Sequence, residues 1–367
     1  MRGQGIGLDV GKALGGFDGL ATYSRMLISA LAEVDGSHHY HLYDLHSPRP
    51  DQALFRARFP GAPSHLSFHP SAGPAPGEVA LFHSLAHRLP PVKPPRLVFT
   101  LHDLTFLSHP GFHTVKNRVE TLCAVVEAAC TADRFIAVSE HTKGQAMALL
   151  GLAGERIVVI PEAADPCFKP VDREERRSAV LRRLGVDGPF LLTVGSLEPR
   201  KNLGRLLDAL ALLPEDTRSS HTLVVTGGPG WCNRELHERI ERGASGLRVR
   251  LTGEVPQDDL AVLYSCAEAF VYPSLAEGFG LPVLEAMACG APVVTSSTTS
   301  LPEVVGEAAI LVDPADAEAL ADAVGRVLAD SALRRELRAR GFHRVAEFSW
   351  QRSARKTLEL YRALLGE

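Results

Sequence analysis

Short apolar runs rich in β-branched residues alternate, along the whole chain, with stretches whose apolar residues recur every three or four positions. A period of two over four to eight residues predicts a strand, and a period near 3.6 predicts a helix with one buried face. In the first half the strand-type runs are GIGLDV (5–10), HYHLYDL (39–45), VALFHS (79–84), RLVFTLHD (96–103), RFIAVS (134–139) and RIVVIPE (156–162). Helical spacing links Leu20, Ser24, Leu27, Ile28 and Leu31, with Asp18-Gly19 placed to cap that helix, and it recurs over 114–131 and 140–150. Residues 46–78, rich in Pro, His, Ser and Gly, show little periodicity and predict loops with one short helix.

Over 165–189 a Pro-punctuated link joins a charged helix, and the domain boundary is expected here. The same rhythm then restarts. Strands are predicted at 190–196, 221–227, 248–253, 268–273, 292–296 and 308–313, helices at 202–213, 232–242, 256–265, 282–289 and 316–330, and a helical tail over 331–365. This alternation defines an α/β fold with parallel sheets. The expected partition is 1–165 and 166–349, two Rossmann-like domains. Such domains facing one another leave a cleft at the carboxyl ends of their strands, where open α/β sheets bind ligands.

Composition narrows the choice. The chain has 367 residues, 45% hydrophobic and 22% charged, which suits two globular domains and not a disordered chain. A formal charge of -4 argues against a nucleic-acid binder. Residues 1–165 hold 14 Lys plus Arg against 15 Asp plus Glu, so composition gives the first half no basic membrane-docking face. The six cysteines include no CxxC pair and read as small buried hydrophobes in a reducing compartment. The opening MRGQGIGLDVG lacks a signal-peptide core, and no run approaches 18 apolar residues. A cytoplasmic protein is expected, with peripheral attachment at the inner face of the membrane left open. Among 15 histidines, His38, His39, His41 and His46 belong to a strand and its exit, where neighbouring side chains alternate faces, and His83 and His87 could share a helical face but have no clear carboxylate or cysteine partner nearby, so no metal site is expected.

The most informative segment is PSLAEGFGLPVLEAMACGAPVV (273–294). A strand ends at Pro273, a glycine-rich turn follows, and Pro282 stands where a helix should begin, a position that tolerates its missing N–H. Gly278 and Gly280 permit a tight turn and a close ligand approach. The N–H groups of Gly280 and Leu281, with the positive helix end, suit a diphosphate. Glu277 and Glu285 flank that anion site, which makes sense if the ligand also carries hydroxyls, as a sugar nucleotide does. In SLEPRKN, Arg200 and Lys201 follow a strand end, placed to meet phosphate charge. Gly195 ends that strand, His102-Asp103 ends RLVFTL, and Gly15-Gly16 lie in the loop after the first strand. That loop is not GxGxxG and carries no acidic ribose ligand at the expected distance, so a dinucleotide site is poorly supported. Its structural reading is a turn that needs flexible φ angles.

EGFGLPVLEA resembles the donor-site motif of the family 4 retaining glycosyltransferases, in which two glutamates have seven residues between them, as Glu277 and Glu285 do. The resemblance extends to VGSLEPRKNLGRLLDAL (194–210), VVTGGPGW (224–231), DLAVLYSCAEAFVYPS (259–274) and IPEAADPCFKP (160–170), and more loosely to HDLTFLSHP (102–110) and AVSEHTKGQ (137–145). It implies the GT-B fold, two Rossmann-like domains with the active site in the interdomain cleft and a final helix, 350–367, returning to the first domain. It implies that Glu277 contacts the donor sugar and Glu285 the ribose, with Phe279, Gly280 and Leu281 supplying backbone contacts. Arg200 and Lys201 serve the diphosphate beside Gly195. His102 lies near the donor sugar or attacking hydroxyl, Asp103 beside it to orient the imidazole, and Gly15 and Gly16 line the cleft below the donor phosphates. Glu162 departs from the Asn that members often carry.

The implied reaction transfers a hexosyl unit, with mannose from GDP-mannose as the first choice, from a nucleotide diphosphate sugar to a glycan or lipid-linked acceptor, with retention. No residue qualifies as a nucleophile, so front-face attack is expected, without cofactor or metal; no DxD lies near the donor motifs. A sugar-nucleotide epimerase of the same fold and a non-catalytic sugar-nucleotide-binding scaffold are the alternatives. Nucleic acid is not an expected partner, and oligomeric state is not legible.

Overall fold

The computed structural model describes residues 5–16, 18–47, 51–69, 73–231, 234–241 and 246–367. Residues MRGQ, Cys232 and both ends of the helix expected over 232–242 lie outside them. The chain forms two compact units, residues 1–162 with 348–367, and residues 163–347.

Unit 1 holds seven strands: β1 Gly5–Asp9, β2 His39–Tyr43, β3 Leu66–His69, β4 Leu81–Ser84, β5 Arg96–Leu101, β6 Arg134–Ala137 and β7 Ile157–Val159. They pair in parallel in the order β3-β2-β1-β4-β5-β6-β7. Unit 2 holds β8 Phe190–Val194, β9 Thr222–Thr226, β10 Arg248–Gly253, β11 Ala269–Tyr272, β12 Val293–Ser296 and β13 Ile310–Val312, all parallel in the order β10-β9-β8-β11-β12-β13. Strands β4, β11 and β12 are buried at every position because helices cover both faces. In each sheet the order reverses once, between β1 and β4 and between β8 and β11. Those switch points are where such sheets bind ligands.

Each unit has its own core. In unit 1, Phe82, Phe99, Phe106 and Phe135 pack with Tyr43 and Leu101. In unit 2, Leu206, Leu207 and Leu210 of helix Leu203–Ala211 meet Leu223, Val271 and Val324. Each such side chain contributes roughly 1.5–3 kcal/mol by leaving water. Unit 1 also buries a polar chain. The two ring nitrogens of His83 contact Tyr361 Oη at 2.6 Å and Thr100 Oγ1 at 2.7 Å, and Tyr23 Oη lies 3.0 Å from the same threonine. Tyr361 belongs to helix Trp350–Leu365, which packs on helix Gly19–Val34, and Ser353 Oγ of that last helix donates to Pro161 O at 2.6 Å.

The structure bears out some of these expectations and corrects others. The stretch 46–78 contains the expected short helix, Gln52–Arg58, and also the unexpected edge strand β3, whose four residues sit in Pro- and His-rich surroundings that mask their alternation. The expected helical tail is two helices, Ser331–Val345 in unit 2 and the final helix Trp350–Leu365 in unit 1, whose start Ser349 caps by accepting from Arg352 N. Cys123 and Cys130 are exposed, on helix Val115–Thr131, and are not buried hydrophobes. Gly15 ends the short helix Gly11–Gly15 and Gly16 is extended, with φ -151°, so neither needs the flexible φ expected of them. A Cβ at Gly15 would meet nothing within 4 Å. Among the described residues no helix is long and apolar enough to cross a membrane.

Candidate active site

Two loops meet at the switch point of unit 2. The first leaves β8 at Gly195 and closes in a 3₁₀ turn, Pro199–Lys201, that places Arg200 and Lys201 side by side. Gly195 has φ +144°, and a Cβ there would lie 3.0 Å from Lys201 Cε, so glycine lets the lysine stem pass. Asn202 ends the turn in the left-handed region, its Nδ2 donating to Pro273 O at 3.0 Å and Pro314 O at 2.8 Å. The second loop leaves β11 at Pro273 and runs to helix Leu281–Ala288, capped by Gly280 at φ +111°. Leu275 N donates to Arg200 O at 2.9 Å, which ties the two loops together.

Glu277 is the centre of this junction. Its Oε1 accepts from Lys201 Nζ at 2.8 Å, Tyr272 Oη at 2.7 Å and Ser274 Oγ at 2.6 Å, and its Oε2 accepts from Arg200 Nη1 at 2.6 Å. Burial by itself would push this carboxyl up. The Arg200 and Lys201 charges, with the Lys201 and Ser274 hydrogen bonds, override that and hold it well below the usual carboxylate range. Burial and the Arg200 charge draw the Lys201 ammonium down, against Glu277, and its Nζ also lies 5.0 Å from the centre of the Tyr272 ring. Arg200 Nη2 donates to the buried Glu198 at 2.7 Å. Two cations therefore face two carboxylates in one buried network.

Around it, Ser300 Oγ donates to Glu277 O at 3.0 Å and Phe279 O at 2.8 Å, and Glu277 N donates to Thr299 Oγ1 at 3.2 Å. Glu285, 8% exposed, sits within the helix and accepts from Tyr264 Oη at 3.3 Å. Leu281 opens that helix and is buried, as is Phe279. The loop after β9 packs directly on the first loop. A Cβ at Gly227 would fall 2.1 Å from Gly195 O, and one at Gly230 would fall 2.2 Å from Leu197 O. Sequence reasoning did not single out Glu198, Tyr272 or Ser274. All three lay inside the motifs quoted above, but nothing in their types marked them as partners in the Glu277 network.

In unit 1, His102 directly follows β5 and is 8% exposed. Its Nε2 lies 2.7 Å from Leu85 O, and its Nδ1 faces Glu162 Oε1 at 3.5 Å. Tyr23 sits edge-on to the ring, 4.6 Å between centres. Asp103 Oδ1 accepts from Thr105 N at 2.8 Å and Thr105 Oγ1 at 2.6 Å, so it shapes the turn that follows. The carboxylate found across from Nδ1 is that of Glu162. Elsewhere in the unit, His41, His69 and Glu78 have ligand-like spacing, yet His41 Nδ1 and His69 Nε2 hydrogen-bond each other at 2.8 Å and none of the three belongs to the donor loops.

Two parallel-sheet Rossmann-like units, with chemistry-bearing loops at their switch points, define the GT-B class of glycosyltransferases. Residues 17–167 match the family described as Glycosyltransferase Family 4, and residues 177–344 match Glycosyl transferases group 1. The O-antigen chain mannosyltransferase B of Escherichia coli is 37% identical over 282 residues, covering 76% of this chain and 72% of that protein. The chain belongs to this glycosyltransferase family. The serotype-specific mannosyltransferase WbdA of Escherichia coli is 34% identical over 237 residues, 64% of this chain but 29% of that longer protein. Among solved structures, the sucrose-phosphate synthase of Thermosynechococcus elongatus superposes with a TM-score of 0.76 at 25% identity, covering 99% of both chains.

Proposed function

We propose that this chain moves a hexosyl unit, mannose from GDP-mannose, from a nucleotide diphosphate sugar to a glycan or lipid-linked acceptor, with retention and without a metal. The observation that carries the reading is the buried junction of Arg200, Lys201 and Glu277 at the unit 2 switch point. Lys201 has three N–H donors, of which Tyr272 and Glu277 take two; the third is available to a donor phosphate. With Arg200 it stabilises the diphosphate charge that grows as the sugar departs, the task a metal performs elsewhere. Gly195 and the Gly280–Leu281 backbone allow close phosphate approach, and Glu285 accepts the ribose hydroxyls.

Glu277 is a poor nucleophile in this setting. Four protein donors engage its carboxylate, and its depressed pKa marks a weak base. This favours front-face attack, in which the leaving phosphate takes the acceptor proton and Glu277 holds the sugar and the two cations. The mannose assignment draws on the names of the Escherichia coli relatives. A cytoplasmic location with peripheral membrane attachment is consistent with the exposed apolar row Val115, Val119 and Val126, which shares helix Val115–Thr131 with Lys116 and Arg118.

The test is a thermal-shift screen of GDP, UDP, ADP and their sugars, since a ligand that binds only the folded state raises its melting temperature. GDP and GDP-mannose are expected to raise Tm, and Arg200→Ala to abolish the shift. A wild-type protein that none of these ligands stabilises contradicts the proposal.

A further inference from the structure

Thr295–Ser300 is an unbroken run of six hydroxyl residues, TSSTTS, at the end of β12 and in the turn beyond it. The backbone ladder between β11 and β12 ends at the pair Tyr272 and Thr295. Past it the two chains part, and the carbonyls of the loop after β11 need donors from elsewhere. The hydroxyls supply them. Thr295 Oγ1 donates to Tyr272 O at 2.8 Å, Ser296 Oγ to Ser274 O at 2.6 Å, and Ser300 Oγ to Glu277 O and Phe279 O at 3.0 and 2.8 Å. Leu301 continues the support, since a Cβ on Gly280 would fall 2.6 Å from its Cδ2.

Thr299 is the member of this run held at a left-handed φ, +59°. Threonine is β-branched and meets that conformation with a steric penalty at least as large as the return from one neutral hydrogen bond. Asparagine and glycine take such a φ readily, and Asn202 does so in the neighbouring loop. The strain in Thr299 secures a contact with Glu277. Thr299 Oγ1 accepts from Glu277 N at 3.2 Å while Ser300 Oγ holds Glu277 O. Both peptide groups of Glu277 are thereby fixed. With them is fixed the direction of a side chain that must meet Arg200, Lys201, Tyr272 and Ser274 together.

We infer that Thr299 is a positioning residue for the transfer reaction, its strained hydroxyl aiming the Glu277 carboxylate from behind. The other hydroxyls of the run fix the course of loop 274–280, and the threonine sets its most consequential residue although this lowers stability. The inference rests on the transferase reading, in which Glu277 holds the donor sugar.

Three variants separate the roles. Thr299→Gly relieves the strain and removes the acceptor, Thr299→Val keeps the shape and the strain without the acceptor, and Thr299→Ser keeps the hydroxyl without the second branch. With GDP-mannose and octyl α-mannoside, kcat should fall about tenfold in Thr299→Gly and Thr299→Val, with the KM for GDP-mannose little changed. Thr299→Ser should restore kcat to within about twofold of the wild type. Tm should be level or higher in Thr299→Gly, because relief of the strain offsets the freedom that glycine adds to the unfolded chain. A residue kept for structure alone would lose Tm and kcat together. Hydrogen exchange at the Glu277 amide reads the same contact without turnover; it should quicken about tenfold in Thr299→Val and stay slow in Thr299→Ser. Wild-type kcat in Thr299→Gly, a Tm below wild type in that variant, or unchanged exchange in Thr299→Val overturns the inference. Exchange that responds as stated in a protein that transfers nothing leaves the positioning of Glu277 standing and sinks the transferase reading.

Discussion

Glu277 accepts from two cations, a phenol and a serine hydroxyl, so replacing it strands Arg200 and Lys201 in a nearly dry junction. Breaking such a pair from one side destabilises by about 3 kcal/mol, and urea denaturation of Glu277→Gln should show a loss of that size. The pH dependence follows from the sign of the shift. A folded-state pKa held below the ordinary 4.5 contributes stability above that value, and the contribution is lost as pH falls below it. Glu277→Gln should therefore flatten the acid limb of the stability curve; an unchanged limb contradicts the assignment. Arg200, Lys201 and Glu277 were legible in the sequence, through a glycine-rich turn between two glutamates and a Pro-Arg-Lys strand exit that together resemble a donor-site motif, whereas Glu198 was not. Nor were Tyr272 and Ser274. Both bond Glu277 from within five residues, through a loop conformation that residue types alone do not reveal, and Tyr272 meets Lys201 only once β8 and β11 lie side by side.

At the scale of elements, the glycines after β8 and β9 fix how closely the loops pack. A methyl at Gly227 would sit 2.1 Å from the Gly195 carbonyl, and φ +149° is unsuited to alanine. Gly227→Ala should cost about 3 kcal/mol and abolish stabilisation by GDP in the same melting experiment. Wild-type stability in that variant would mean the loops have room to part. Most strands of both sheets were readable from their short β-branched and aromatic runs, such as Leu223–Val225 in β9 and Phe270–Tyr272 in β11. The edge strand β3 was not: Leu66 and Phe68 alternate with Ser67 and His69 over only four residues. The break before the last helix rests on one capping serine, Ser349, in a stretch whose composition is helical on both sides.

For the molecule as a whole, unit 1 carries a built-in acid sensitivity. Burial pushes the His83 imidazole down to about 3, with the His102 charge adding to it, and burial and His102 likewise push His87 down to about 4. Both rings are neutral in the folded state and protonate in the unfolded chain near 6.5. Between 6.5 and 4 the unfolded state binds more protons, so stability falls as pH falls, by up to about 2.7 kcal/mol per pH unit for two groups. Chemical denaturation followed by Trp350 fluorescence at pH 7, 6 and 5 measures that slope, and a flat profile contradicts it.

The central claim is that this family member transfers a hexose from a nucleotide donor held by the Arg200, Lys201 and Glu277 junction. Its most direct measurement is transfer from GDP-mannose to octyl α-mannoside by the wild type, Arg200→Ala and Glu277→Gln, with the anomeric configuration of the product read by NMR. The account predicts an α-linked product from the wild type and at least a hundredfold loss of kcat in each variant. A β-linked product, or full activity in either variant, would contradict it.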